Sequence, residues 1–173
     1  MKLLLKFCIL VLLPIVSNAT VQIPEKIIIG DGVFNFYRNY PFDTLISKKD
    51  FYELYEIETG CSAAWRGYQG TWEIKDNKLL LVRLRKDPCN FDLKEIEHFD
   101  LMKVISNFNV RKRGHKASWY SGEIVIPISE VRLIPQKKNK FGESYKEHQV
   151  IVYLINNGNV SSREILYREY KKI

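Results

Sequence analysis

Apolar positions change period several times along this chain, and each change predicts an element. Residues 68–74 alternate strictly, with Tyr68, Gly70, Trp72 and Ile74 on one face and Gln69, Thr71 and Glu73 on the other, which is a half-buried strand. Lys75-Asp76-Asn77-Lys78 follows as a tight turn, because Asp and Asn tolerate positive φ. Residues 79–84 then run back; their leucines and Val82 keep no alternation, so this strand is expected to be covered on both faces. A second hairpin is equally well marked, with an apolar, β-branched run over 149–155, the favoured turn pair Asn157-Gly158, and a return over 160–167. Shorter strands are predicted at 26–29 before the turn Gly30-Asp31-Gly32, at 51–58 before Gly60, at 123–126 before Pro127, and at 131–134 before Pro135.

Two stretches break the β pattern. Leu93, Ile96, Leu101, Val104, Ile105 and Phe108 recur at three and four, and Asp92 with Glu95 forms a capping box, so a helix is expected within 92–108. The aromatic run 34–42 keeps no period and predicts an irregular arm lying on the domain, while 136–144, charged and carrying Gly142, predicts an exposed loop. Seven or eight strands and one helix make the expected fold mainly β: an antiparallel sandwich or partly open barrel with one helix.

The N-terminus changes the picture of where the chain works. Lys2 and Lys6 precede an apolar run over 7–16, interrupted by Pro14 and followed by Ser17-Asn18-Ala19, the layout of a secretory signal cut after Ala19. An apolar run of about ten residues is half of what a bilayer span needs, so no stable membrane span is expected after processing. Residues 20–173 are then a single β-rich domain, periplasmic or secreted. The formal charge falls from +7 to +5, since two lysines and no acid leave with the signal. Acids and bases interleave along the rest, which fits a mixed solvated surface as well as an anionic partner. Nucleic acid is excluded by compartment and by the lack of a recognition motif.

Cys8 leaves with the signal, and Cys61 and Cys89 remain in an oxidising compartment, so a disulfide between them is expected. Free thiols or a metal pair are the alternatives, and no nearby Cys or His completes a tetrahedral zinc site. His98, His115 and His148 stand far apart, no nucleophile elbow or phosphate-binding glycine loop is present, and neither metal nor cofactor is expected. Glu53, Glu56 and Glu58 on one predicted strand and Glu73 on the next could converge as the paired acids of a hydrolase.

Trp65-Arg66-Gly67-Tyr68 holds the residue types that dominate binding hot spots, beside a cysteine that would hold them rigid, and Trp119-Tyr120-Ser121-Gly122-Glu123 repeats the combination. Trp65, Arg66, Tyr68, Trp119, Tyr120 and Glu123 are therefore the candidate binding surface; the same rings would serve as well in a core, with Arg66 stacked on one of them.

The run Trp65-Arg66-Gly67-Tyr68 to Thr71-Trp72-Glu73-Ile74, with the later Trp119-Tyr120-Ser121-Gly122-Glu123 to Pro127, resembles a group of uncharacterised bacterial exported proteins that share both segments. The resemblance covers about residues 52–168 and implies compartment and class, with no activity attached. Gly70-Thr71-Trp72 is also similar to the Gly-x-Trp of lipocalin-like barrels. The expected function is a non-enzymatic binding or interaction protein of the bacterial envelope, engaging an unknown protein or an anionic envelope component. The alternative is a lipocalin-like carrier of a small apolar ligand.

Overall fold

The computed structural model describes residues 20–57, 61–89, 105, 114–140 and 142–170. The expected signal segment, 1–19, and nearly all of the expected helix at 92–108 lie outside the described residues. The described strands are β1 (Glu25–Ile29), β2 (Gly32–Phe36), β3 (Tyr68–Lys75), β4 (Lys78–Lys86), β5 (His115–Lys116), β6 (Gly122–Pro127), β7 (Arg132–Lys138), β8 (Ser144–Asn156) and β9 (Asn159–Glu169), with one α-helix, α1 (Lys48–Leu54). The molecule is mainly β. Its sheet runs β2-β1-β3-β4-β9-β8-β6, with β5 added to β4 and β7 to β8. All pairs are antiparallel except β1 with β3, which is parallel.

Two half-sheets meet along a very short seam. β4 pairs with β9 only at Lys78 and Asn159, where the Leu79 amide donates to the Gly158 carbonyl and the Val160 amide to the Asn77 carbonyl, each at 2.9 Å. Both hairpin turns sit there, with Asp76, Asn77, Asn157 and Gly158 at positive φ as the sequence requires. At the other end of the order, β2 and β6 come back alongside one another without a ladder among the described residues, leaving the curled sheet open.

The core lies inside this curl, built from Ile27, Phe36, Trp72, Leu79, Leu81, Leu84, Ile124 and Ile126 with the rings of Phe42, Phe51 and Tyr68. Burying such side chains stabilises by about 1.5–3 kcal/mol each. The leucines of β4 do not cover two faces as expected. A bulge shifts the register so that Trp72 faces Leu81 while Thr71 faces Arg83; the parity change at Val82 turns Leu79, Leu81 and Leu84 all inward and leaves Val82 exposed.

Residues 51–57, the described part of the strand expected at 51–58, are not a strand. Ser47 caps α1 by accepting from the Asp50 amide at 3.2 Å while its hydroxyl donates to the Asp50 carboxylate at 2.6 Å, and this start sets a period of 3.6. Phe51 is buried on the inner face and Tyr55 follows it one turn later. The intervening glutamates only mimic alternation. Residues 32–36, expected within an irregular arm, extend β1 as a hairpin, and β7 continues past Pro135 to Lys138, so the loop predicted at 136–144 is shorter.

Cys61 and Cys89 are joined by a disulfide, with Cα atoms 6.3 Å apart. No helix among the described residues is long and apolar enough to cross a membrane.

Candidate functional site

Strand parity places Glu25 on the same face of β1 as Ile27, so this carboxyl enters the core and is fully buried. Its Oε2 accepts a hydrogen bond from Trp72 Nε1 at 2.5 Å, across the parallel β1–β3 pair. Gly70 sits against both: a Cβ there would lie 2.6 Å from Trp72 Nε1 and 2.9 Å from Glu25 Oε2, so only glycine leaves room for the bond. Burial pushes the Glu25 carboxyl up to about 7, with Arg66 and the Trp72 hydrogen bond acting against that rise.

Arg66 is also buried. Its guanidinium lies 3.4 Å from the centre of the Tyr40 ring and 5.4 Å from that of Tyr68, and Nη2 donates to the Ile23 carbonyl at 3.3 Å. The ring faces supply much of the attraction that water would otherwise give this cation. Tyr68 donates its hydroxyl to Asp43 Oδ1, and burial raises the Tyr68 phenol well above its ordinary value. Asp43 is raised too, by desolvation that outweighs the Tyr68 hydrogen bond and the Arg66 charge.

Tyr40 and Asp43 belong to a strap, residues 37–46, that crosses the open side of the curl and contains the 3-10 turn Pro41–Thr44. From the other side, Trp119 Nε1 donates to the Pro41 carbonyl at 3.0 Å. Tyr120 Oη lies 3.1 Å from the Asn39 carbonyl and 2.9 Å from the Glu123 carbonyl and shares its proton between them. Burial pushes the Tyr120 phenol up to about 12. Two segments more than fifty residues apart thus grip one strap: Arg66 and Tyr68 from below, Trp119 and Tyr120 from the side. Between strap and β6 a cleft of about 430 Å³ opens to solvent, with Tyr40, Asp43 and Thr44 on one wall and Tyr120, Ser121 and Glu123 on the other. Glu123 is held by Arg168, Oε2 to Nη2 at 3.0 Å.

No family model matches the chain, and no curated protein and no solved structure matches it either. Its chemistry therefore stands on the geometry alone.

The six candidate residues divide. Arg66, Tyr68 and Tyr120 are buried, Trp119 and Glu123 are half-buried at the strap and cleft, and Trp65 is 47% exposed on the outer side. Trp65 stands with Tyr52 and Lys48, whose Nζ is 5.5 Å from the Trp65 ring and 5.2 Å from the Tyr52 ring. The strand expected to align glutamates does not exist: Glu53 lies on the outer face of α1 beside Lys49 at 3.7 Å, Glu56 is exposed at positive φ, Glu58 lies outside the described residues, and Glu73 is on β3. His115 is on β5; His148 is on β8 with its imidazole lowered by burial and by Arg38, and His98 lies outside the described residues. Among the described residues no three His, Cys, Asp or Glu side chains converge as a metal site would require. Sequence reasoning missed Glu25, Tyr40 and Asp43. Parity with Ile27 and Ile29 was the available signal for Glu25; nothing local marks the other two.

Proposed function

We propose that this chain is an exported, non-enzymatic binding protein of the bacterial envelope, and that it engages a partner protein through the cleft between the strap and the start of β6. The observation that supports this reading is the convergence of the two tryptophan- and tyrosine-bearing segments on one strap, which holds an open, aromatic-walled cleft in fixed shape. Preorganisation of that kind lowers the ordering cost of binding. Asp43 and Glu123 are among the residues of its walls, which favours the amine, guanidinium or hydroxyl groups of a protein surface over an anionic component.

Binding is favoured over catalysis because Glu25, the acid whose carboxyl is pushed up to about 7, is sealed from solvent behind Trp72, where no substrate reaches it. A lipocalin-like carrier would need the space that Trp72, Tyr68, Phe42 and Phe51 fill. Photo-crosslinking in intact cells tests the reading. A photoreactive residue at Thr44 or Ser121, on opposite walls, should give a discrete protein adduct, and the same residue at Asp31, in the β1–β2 turn, should not. Identical patterns from all three positions, or none from the cleft, refute it.

A further inference from the structure

Beyond its contact with β4 at Asn159, the outer edge of β9 pairs with no strand among the described residues. Ile165 and Tyr167 on this strand are 53% and 52% exposed, large apolar surfaces beside an open hydrogen-bonding edge. An unprotected edge of this kind is a template for another strand, and proteins commonly guard it with charges of one sign, which repel a second copy. The charges on β9 have the opposite property.

Residues 163–169 read Arg-Glu-Ile-Leu-Tyr-Arg-Glu. Laid antiparallel against itself with Leu166 on the two-fold axis, this strand sets Arg163 opposite Glu169, Glu164 opposite Arg168, Ile165 opposite Tyr167 and Leu166 opposite Leu166. Every charge meets its opposite and every apolar side chain meets another. Alternation keeps the faces consistent, since Arg163, Ile165, Tyr167 and Glu169 project to one side and Glu164, Leu166 and Arg168 to the other. A slip of one residue brings unlike faces together, and a slip of two costs the charge matching. We infer that the partner for this edge is a second copy of the chain, joined β9 to β9 in an isologous two-fold dimer with one sheet continuous across the interface.

Main-chain hydrogen bonds and the Ile165–Tyr167 contacts hold the pair together, while exposed ion pairs add little strength and select the register. Arg132 stacks on the Tyr167 ring at 4.2 Å and stiffens the apolar part of the edge. Arg168 keeps its bond to Glu123 at 3.0 Å and, with further donors on its guanidinium, reaches Glu164 of the second copy as well.

Sedimentation equilibrium on the full-length protein as purified tests the inference, with thermal melts to show that each variant is folded. The wild type should be a dimer. Arg163→Glu and Glu169→Arg each turn two symmetric attractions into repulsions, and each should raise the dissociation constant about tenfold or more. Combining them in one chain restores opposite charges and should return the constant to near its original value. Leu166→Lys, which sets two ammonium groups across the axis, should leave monomers. A folded wild type that is monomeric at high micromolar concentration overturns the inference, as does a dimer indifferent to both single swaps, or a double variant no better than the single ones.

Discussion

Tyrosine, arginine and glutamate meet twice in this molecule, with opposite consequences. At the strap, Arg66 lies against the rings of Tyr40 and Tyr68 with Glu25 and Asp43 close by; Arg66, Glu25 and Tyr68 are buried, Tyr40 is half-buried and Asp43 reaches the surface. At the far end of the long hairpin, the exposed Arg132 lies over Tyr167 and its Nη2 reaches Glu147 at 2.6 Å. The first cluster shifts proton affinities and fixes the position of a strap. The second sits at the surface, where a screened ion pair contributes roughly 0–1 kcal/mol. Residue type alone does not separate the two; desolvation does.

The sharpest way to break the comparison is to open the buried cluster. Trp72→Ala should cost about 3–5 kcal/mol in denaturant unfolding, since it empties a ring's volume from the core and strips Glu25 of its donor. A loss below 1 kcal/mol would mean the cluster is not part of the core.

Next comes proton linkage. Glu25 rises from an ordinary value near 4.5 to about 7 on folding, so the folded chain holds this proton more tightly than the unfolded one. The stability it contributes is fully present below about pH 4.5 and is lost as pH rises through about 7, which amounts to about 3 kcal/mol. Glu25→Gln cannot ionise, so between about pH 4 and about pH 8 the unfolding free energy of the wild type should fall relative to this variant by about that amount. Parallel pH profiles for the two proteins would show that folding leaves the proton affinity of this carboxyl unchanged.

The smallest effect belongs to the surface. Trp65→Ala should cost about 1 kcal/mol or less, the worth of an exposed cation–π contact with Lys48 plus partial burial, in contrast to Trp72. A melt of Trp65→Ala beside one of Trp72→Ala reads the difference directly.

Much of the fold was legible because local chemistry dictated it. Gln69-Gly70-Thr71-Trp72 alternation, the turn pairs Asp76-Asn77 and Asn157-Gly158, and the pair of cysteines at 61 and 89 each carry their own constraint, and the two hairpins and the disulfide followed. The helix α1 was not, because the single glutamates Glu53 and Glu56 between its apolar residues look like strand alternation without keeping a strict period of two, and the cap formed by Ser47 and Asp50 is what marks the helix start. The bulge at Val82 was hidden for a related reason: a parity change and a doubly covered strand give the same run of leucines. At the site, the rings of both segments were singled out from composition, yet the groups that complete the cluster come from β1 and the strap, and no local spacing connects Glu25 to Arg66 or Tyr120 to Asn39.

The single rung joining Lys78 to Asn159 has a consequence for how the molecule assembles. Each hairpin closes on itself within a short stretch of chain, so both can zip early at low entropic cost, while their docking needs residues about eighty positions apart to find one another. Two amides report that late event and nothing else: those of Leu79 and Val160, whose acceptors lie in the opposite hairpin's turn. In pulse-labelling they should become protected after the amides along the β8–β9 ladder, timing the moment when two ribbons become one wall.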